Sequence, residues 1–425
     1  MAAWARFPDG VEVTEGVFRV LARFAPDGAL DVFASDQHGS YKKLGNAFLK
    51  HIGEQREATD ADVTEICRRF ARALGGNASA ALFNSLAFLS EGFRGMLGDQ
   101  VMLIGRLEDT DTEEMEGGLG QLARLFEQPE EIAEIEAALE VSLKMYSAAV
   151  ALLSPGRYEW ELRAALVGAA VAQRCEQSFS PIVTIHGEVL HNHSSENSLP
   201  AGGLILIDSG AETVRGYASD ITRCFPISGR FDPRQRDIYA IVLDAQESAI
   251  AAARPGVSMK ELHLLAARRI TQGLSELGLM RGDPDEAVAA GAHALFFPHG
   301  LGHMLGLDAH DMEDLGDIVG YGPDASRDPQ FGLSALRMAR TLEPGFVFTV
   351  EPGVYFIPEL IEQWSRQGTN AAFLDFECIA GYVGMGGIRI EDDLVVTTTG
   401  ARVLGPGIPK SIAAVEDFIA ALSGT

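Results

Sequence analysis

The stretch "LILIDSGAETVRGYASDITR" (204–223) sets the tightest limit on how this chain can fold. Four apolar residues run straight into an acid, Asp208, and a second acid, Asp220, follows in another segment fit for a strand. The pattern returns near the far end. "GFVFTVEPGVYF" (345–356) carries Glu351, and "GGIRIEDDLVVT" (386–397) carries Glu391. A carboxylate buried by apolar strands is costly unless something pairs with it. The fold must therefore bring these acids to a place where their charge is answered.

Between the two strand pairs lies "FFPHGLGHMLGLDAHD" (296–311), dense in glycine and carrying His299, His303 and His310. One Asp after one strand is ordinarily a turn residue, and "EPG" alone is a turn signal. Four acids on four apolar strands, beside a histidine-rich segment, form a constellation instead. Four clustered carboxylates repel, and some would have to take up protons. A pair of divalent cations removes that problem. Four acids and one imidazole suit Mn²⁺, Co²⁺ or Fe²⁺ better than a thiolate-loving metal. Two such cations side by side share a water-derived nucleophile and clamp a tetrahedral intermediate.

The surrounding pattern is α+β. Residues 128–153 read as a long helix with a proline near its start and acids in the first turns. "PGR" (155–157) breaks it, and 158–173 read as a second helix. Each strand pair belongs to a weak internal repeat, with helices expected near 233–253 and 258–278. The texture changes near residue 127, which gives an N-terminal α/β domain over 1–126 and a catalytic domain over 127–425. In the first, 29–35 reads as a buried strand, 60–74 as a helix, and 78–84 and 100–107 as strands. The acidic run 108–118 reads as a solvated connection.

Length and charge narrow the function. A chain of 425 residues favours two or three domains. A formal net charge of -26 argues against non-specific binding to nucleic acid or an anionic membrane. Cys67, Cys175, Cys224 and Cys378 are far apart and form no CxxC pair, so reduced thiols in a cytoplasmic protein are expected. "MAAWARFPDG" has no charged-then-apolar leader pattern, and no apolar run reaches membrane-spanning length.

These motifs are familiar as a set. "LIDSG", "ASDITR", "HGLGH", "TVEPG" and "IRIED" resemble, in order, the five metal-binding motifs of the metallopeptidases with the pita-bread fold. Prolidase, aminopeptidase P, methionine aminopeptidase and creatinase share that fold. The resemblance spans about 129–405. It implies a dinuclear centre held by Asp208, Asp220, His303, Glu351 and Glu391. Asp220 and Glu391 would bridge two divalent ions, Mn²⁺ first among them. Asp208 would chelate one ion, and His303 with Glu351 the other. Glu351 would also pass a proton. His191 in "EVLHN" and His310 in "LDAHD" would orient the substrate and stabilise the oxyanion. His299, Arg337 and Arg389 match positions on the substrate side, with Arg389 also placed to orient carboxylates.

"ALRMARTLEPG" and "EPGVYFIPELIEQW", with the long insertion between Glu351 and Glu391, look most like prolidase. Arg337 stands where prolidases bind the substrate's terminal carboxylate. The resemblance therefore implies an Xaa-Pro dipeptidase acting on small proline-containing peptides, as a homodimer. The alternatives are an Xaa-Pro aminopeptidase on longer peptides, a metal-free creatinase-like hydrolase, and a binding module on the same fold; the last two usually lose metal ligands. Phe296, Phe297 and Leu305 are candidates to line a proline pocket, with core packing as the alternative role for each. The segment "FSPIVTIHGEVLHNH" departs from prolidase: it is shorter and lacks the expected Tyr. The N-terminal part departs more. Its "DVFASDQHGSYKKL" resembles the opening of tagatose-bisphosphate aldolases, but a complete (β/α)₈ barrel needs ~250 residues. The expected roles for this domain are to limit substrate length or to build the dimer.

Overall fold

The computed structural model describes residues 19–24, 30–35, 129–311, 313, 317–322 and 326–423. The chain divides into two units, Met1–Leu122 and Ala123–Thr425. In the first, β1 (Arg19–Phe24) and β2 (Leu30–Ser35) pair antiparallel, with Arg19 opposite Ser35 and Phe24 opposite Leu30. β2 matches the strand expected at 29–35. The helix expected at 60–74 and the strands at 78–84 and 100–107 lie outside the described residues.

The second unit opens with α1 (Pro129–Val150), which has Pro129 at its first position and Glu130 and Glu131 in its first turn. Pro lacks only an N–H that the first turn cannot use, and acids there oppose the helix dipole. α2 (Glu159–Ala172) packs back onto α1. Next comes an antiparallel sheet ordered β3 (Ile182–Thr184), β4 (Leu204–Ser209), β5 (Ile221–Pro226). Every residue of β4 and β5 is buried, as their unbroken apolar character demands.

Helices α3 (Pro233–Ala252) and α4 (Met259–Glu276) follow and pack on each other. Both start at capping boxes, Asp232 with Gln235 and Ser258 with Glu261, which satisfy the otherwise orphaned N-terminal donors. The second half repeats the theme. β6 (Val347–Val350), β7 (Gly353–Tyr355), helix α5 (Pro358–Gln367), β8 (Gly387–Arg389), β9 (Asp392–Val396) and β10 (Ala401–Val403) precede helix α6 (Ile412–Ser423). β9 pairs with both β6 and β10, and β7 pairs with β8, all antiparallel.

The segments 345–356 and 386–397 read as two continuous strands in sequence, yet each breaks into two. β6 and β7 flank Glu351 and Pro352, while β8 and β9 flank Ile390 and Glu391. Pro352 has no N–H for a ladder. The N–H of Glu391 turns to the carbonyl of Thr222 on β5, at 3.1 Å. That bond joins the two halves of the unit. Close by, the fully buried Arg223 guanidinium pairs with Asp392 at 2.6 Å and donates to the Ile408 carbonyl at 2.9 Å. Lys410 and Gln246 also hold Asp392, at 2.6 and 2.9 Å.

Tyr146, at the heart of α1, is fully buried. Its hydroxyl lies 2.6 Å from the Ile221 carbonyl and 3.0 Å from that of Ile207. One phenol thus docks α1 onto both β4 and β5. Tyr146→Phe keeps the ring but strands these carbonyls, so it should cost about 1–3 kcal/mol of stability. Urea unfolding measures this; an unchanged midpoint would show that the hydroxyl contributes nothing.

Candidate metal centre

Each sequence motif delivers its side chain by a local device. Asp208 lies within β4 opposite Thr222 of β5. Asp220 immediately precedes β5, and its N–H donates to Asp393 Oδ2 at 3.0 Å. Glu351 and Glu391 occupy the two strand breaks, where the backbone is free of one ladder. The Glu351 N–H instead donates to the Leu301 carbonyl at 2.8 Å. Thr222 Oγ1 donates to Glu391 Oε2 at 2.7 Å.

His303 depends on the glycine before it. A Cβ on Gly302 would lie 2.0 Å from the Thr349 carbonyl oxygen, so only glycine allows the "GLGH" turn to close on β6. The closed turn is held by His303 N–H to Thr349 Oγ1 (3.1 Å) and Thr349 N–H to His303 O (2.9 Å). The ring Nδ1 donates to the Met304 carbonyl at 3.0 Å, which leaves the Nε2 lone pair free to face the acids. Nε2 lies 3.4 Å from Asp220 Oδ2 and 3.6 Å from Glu351 Oε1. Ligand atoms of Asp220, His303 and Glu391 all lie within 4.8 Å of one another.

The charges are not balanced by protein alone. Burial, then repulsion from Asp208 and other acids, pushes the Asp220 carboxyl well above the usual range. Burial, then Asp220, Glu351 and Asp208, does the same to Glu391. Burial raises Glu351 against the opposing pull of His303 and Arg389. The Oδ1 atoms of Asp208 and Asp220 are buried with no hydrogen-bond partner. Orphaned carboxylate oxygens, mutual repulsion and an imidazole lone pair together form a donor set suited to divalent cations.

The guanidinium of Arg389 organises one wall. Nη2 pairs with Asp208 Oδ2, Nε donates to Thr222 Oγ1 at 3.0 Å, and Nη1 donates to the Tyr355 hydroxyl at 3.0 Å. The Tyr355 hydroxyl lies 2.9 Å from His299 Nε2, and His299 Nδ1 lies 2.7 Å from the Gly300 carbonyl. A carbonyl only accepts, so Nδ1 carries the proton and Nε2 accepts from the tyrosine. Burial, then Arg389, lowers the His299 pKa to about 3 and keeps the ring neutral. Both ring nitrogens and the guanidinium are therefore occupied by protein partners. Phe297 packs edge-on to His299, and the buried ring of His263 stacks on Phe297.

On the open side, His310 packs edge-on to His303, with ring centroids 4.5 Å apart. His191 lies on the turn after β3, accessible to solvent, and its pKa is lowered by partial burial, then by Arg389 and Arg337. Its loop is pinned by Glu159, a buried acid that accepts from the N–H groups of Ile185 (2.7 Å) and Asn197 (3.0 Å). Arg337 Nη1 donates to both carboxylate oxygens of Glu313, at 2.6 Å to Oε2. Phe296, Phe297 and Leu305 have no exposed surface. They belong to the core, so the proline-pocket expectation does not hold for them.

Residues 133–398 match the model for metallopeptidase family M24. The chain belongs to metallopeptidase family M24. It is 38% identical over 301 residues to the Xaa-Pro aminopeptidase of Escherichia coli, which covers 70% of this chain and 60% of that one. It is 37% identical over 302 residues to a probable Xaa-Pro aminopeptidase of Paracoccidioides brasiliensis, covering 68% and 62%. Among solved structures, E. coli aminopeptidase P with the inhibitor Pro-Leu superposes with a TM-score of 0.59 at 35% identity, covering 71% of this chain and 61% of that one. The chain thus spans about three-fifths of the length of these relatives. The second unit has the pita-bread fold of the family.

Within this M24 chain, several site residues carried no sequence signal. Tyr355, Asp393 and Glu159 sit outside the five motifs that mark the acids, and Thr222, although inside "ASDITR", carries no mark of its role. Only pairing across strands or loops brings them in. Glu313 is two residues beyond "LDAHD" and reads as one acid in an acidic turn. Among the described residues no helix is long and apolar enough to cross a membrane. Cys175, Cys224 and Cys378 are unpaired.

The Gly302 contact yields a test. Gly302→Ala must push the turn off Thr349 and displace His303. The expected result is folded protein with Mn²⁺ affinity weakened by about 10–100-fold, the usual cost of losing a ligand's support. Titration calorimetry reads it directly, and wild-type affinity would remove Gly302 from this role.

Proposed function

We propose that this chain is a dinuclear metal-dependent exopeptidase that hydrolyses the bond between an N-terminal residue and proline, acting as an Xaa-Pro aminopeptidase on peptides of three or more residues. The observation that carries this reading is the convergence of Asp208, Asp220, His303, Glu351 and Glu391 from five separate segments onto one site whose acids Arg389 answers only in part. The relatives named as Xaa-Pro aminopeptidases support the substrate class. In this reading Asp208, Asp220, His303, Glu351 and Glu391 would together hold the two ions. Mn²⁺ is the first choice and Co²⁺ or Fe²⁺ the next, given the oxygen-rich donors.

Divalent ions bound there supply a Lewis acid for the scissile carbonyl and lower the pKa of water. The chain's own residues do the rest. Glu351 keeps part of its carboxyl accessible, and its raised pKa suits a group that takes up and hands on a proton. His191 and His310, both on the open side, orient the substrate and donate to the developing oxyanion. Arg389, held by Thr222 and Tyr355, keeps Asp208 in place.

A second reading, Xaa-Pro dipeptidase, rests on Arg337 as a clamp for a substrate carboxylate. The pairing of Arg337 with Glu313 favours the aminopeptidase. We assign residues 127–425 the catalytic role and 1–126 the control of substrate length or dimer contacts. A homodimer in the cytoplasm completes the proposal.

Metal analysis of reconstituted protein should find about two divalent ions per chain. Asp220→Asn should lose activity by orders of magnitude, because a neutral amide bridges cations poorly. Full activity after exhaustive chelation would sink the mechanism.

A peptide panel decides the substrate. Bonds before proline lack an N–H, and the ring restricts both flanking residues, so an enzyme built for them should ignore Ala-Ala. Ala-Pro-Ala should be cleaved faster than Ala-Pro with Mn²⁺. A clear preference for Ala-Pro would move the assignment to the dipeptidase, and equal cleavage of Ala-Ala would remove the proline specificity.

A further inference from the structure

We propose that Glu313 is a specificity-determining residue: by occupying Arg337 at the mouth of the metal centre, it turns the site against peptides whose proline ends in a free carboxylate and towards those that continue beyond proline as an amide. The inference rests on the proline-peptide reading above and names the group that sets substrate length.

The pair is built and accessible. Glu313 takes up Arg337 Nη1 through both carboxylate oxygens. Each side chain is 34% exposed, so the pair faces solvent and any arriving ligand. A short turn holds the acid in place: Glu313 N–H donates to the His310 carbonyl at 3.4 Å, and Asp311 N–H to the Met304 carbonyl at 3.1 Å. His310 Nδ1 lies 3.3 Å from Glu313 Oε2, and the His310 ring abuts His303. The pair is therefore one ring away from the nitrogen that faces Asp220 and Glu351. A single cavity of about 50 Å³ is lined by His303, His310, Glu313 and Arg337 together.

Charge then decides which substrate end fits. Glu313 holds Nη1 of Arg337 with both its oxygens and already answers the charge of that guanidinium. A substrate carboxylate drawn to the same guanidinium comes to lie beside the Glu313 carboxylate, so two like charges share one cation. Arg327 lines the same cavity but is held by Asp317 at 2.8 Å, so it offers no substitute. An amide brings no charge, and its N–H finds an acceptor in Glu313. Discrimination of this kind comes from the repulsive element as much as from attraction.

The test compares Ala-Pro with Ala-Pro-amide, which differ in charge but hardly in size, using the full chain loaded with Mn²⁺. Wild type should favour the amide. Glu313→Gln and Glu313→Ala should each raise kcat/KM for Ala-Pro relative to the amide by about tenfold, the worth of one charge-assisted contact. The gain should vanish in Glu313→Ala combined with Arg337→Gln. A purely structural role for Glu313 would lower both substrates together and leave their ratio alone. An unchanged ratio in folded variants, or a gain that survives in the double variant, overturns the inference and leaves the proline-peptide reading intact. A wild-type enzyme inactive on both substrates and on Ala-Pro-Ala overturns that reading, and the inference with it.

Discussion

The structure turns on the mutual repulsion of four carboxylates. Asp208, Asp220, Glu351 and Glu391 come from strands or strand ends that the core buries. Gathering four negative charges in a medium of low polarity is prohibitive without counter-charge. Arg389 answers part of it, pairing with Asp208 and lying 3.8 Å from Glu351. The remainder is what the proposed divalent cations would answer. The hydrophobic core supplies the driving force for folding, and the acids specify what must be present at its centre.

Around that centre the chain spends buried polar groups on precision. Tyr355 receives from Arg389 and bonds His299, so a wall of the site is one hydrogen-bonded chain backed by Phe297 and His263. Thr222 accepts from Arg389 and donates to Glu391, tying an arginine to an acid through one hydroxyl. Arg223 with Asp392 does comparable work farther out, fastening the segment before α6 to β5 and β9. Breaking such a buried pair by removing one partner typically costs about 3–5 kcal/mol, because the other charge is left stranded. Hydrogen-bonded networks of this kind hold a site in one geometry.

The open side follows a different logic. His191, His310, Glu313 and Arg337 stand on loops and turns, partly exposed, with Glu159 pinning the loop that carries His191. Loops free to vary on a rigid scaffold are where substrate choice is set. In the proposed function the deep half of the site holds the metal ligands, and the open half carries the residues assigned to substrate choice.

Much of the deep half was legible in the sequence. Apolar strand segments with Asp208, Asp220, Glu351 and Glu391 near one end, and the "HGLGH" segment with His303, pointed to strands and a buried charged centre, because burial and charge follow directly from residue type. The helix at Pro129–Val150 announced itself through a proline near its start and acids in its first turns, and those at Pro233–Ala252 and Met259–Glu276 fall where helices were expected beside the strand repeat. The break at Glu351 has a local cause in Pro352, whereas the break at Glu391 did not show, since it goes with a bond from its N–H to the Thr222 carbonyl of another strand. Phe296, Phe297 and Leu305 look alike in sequence whether they line a pocket or fill the core, and burial alone assigned them to the core. The partners of Arg337 and Arg389 were equally hidden: composition sets that an arginine will find an acid, while the folded backbone selects Glu313 for one and Asp208 for the other. Residue chemistry is local and travels with the sequence; which groups meet depends on distances that exist only once the chain has closed.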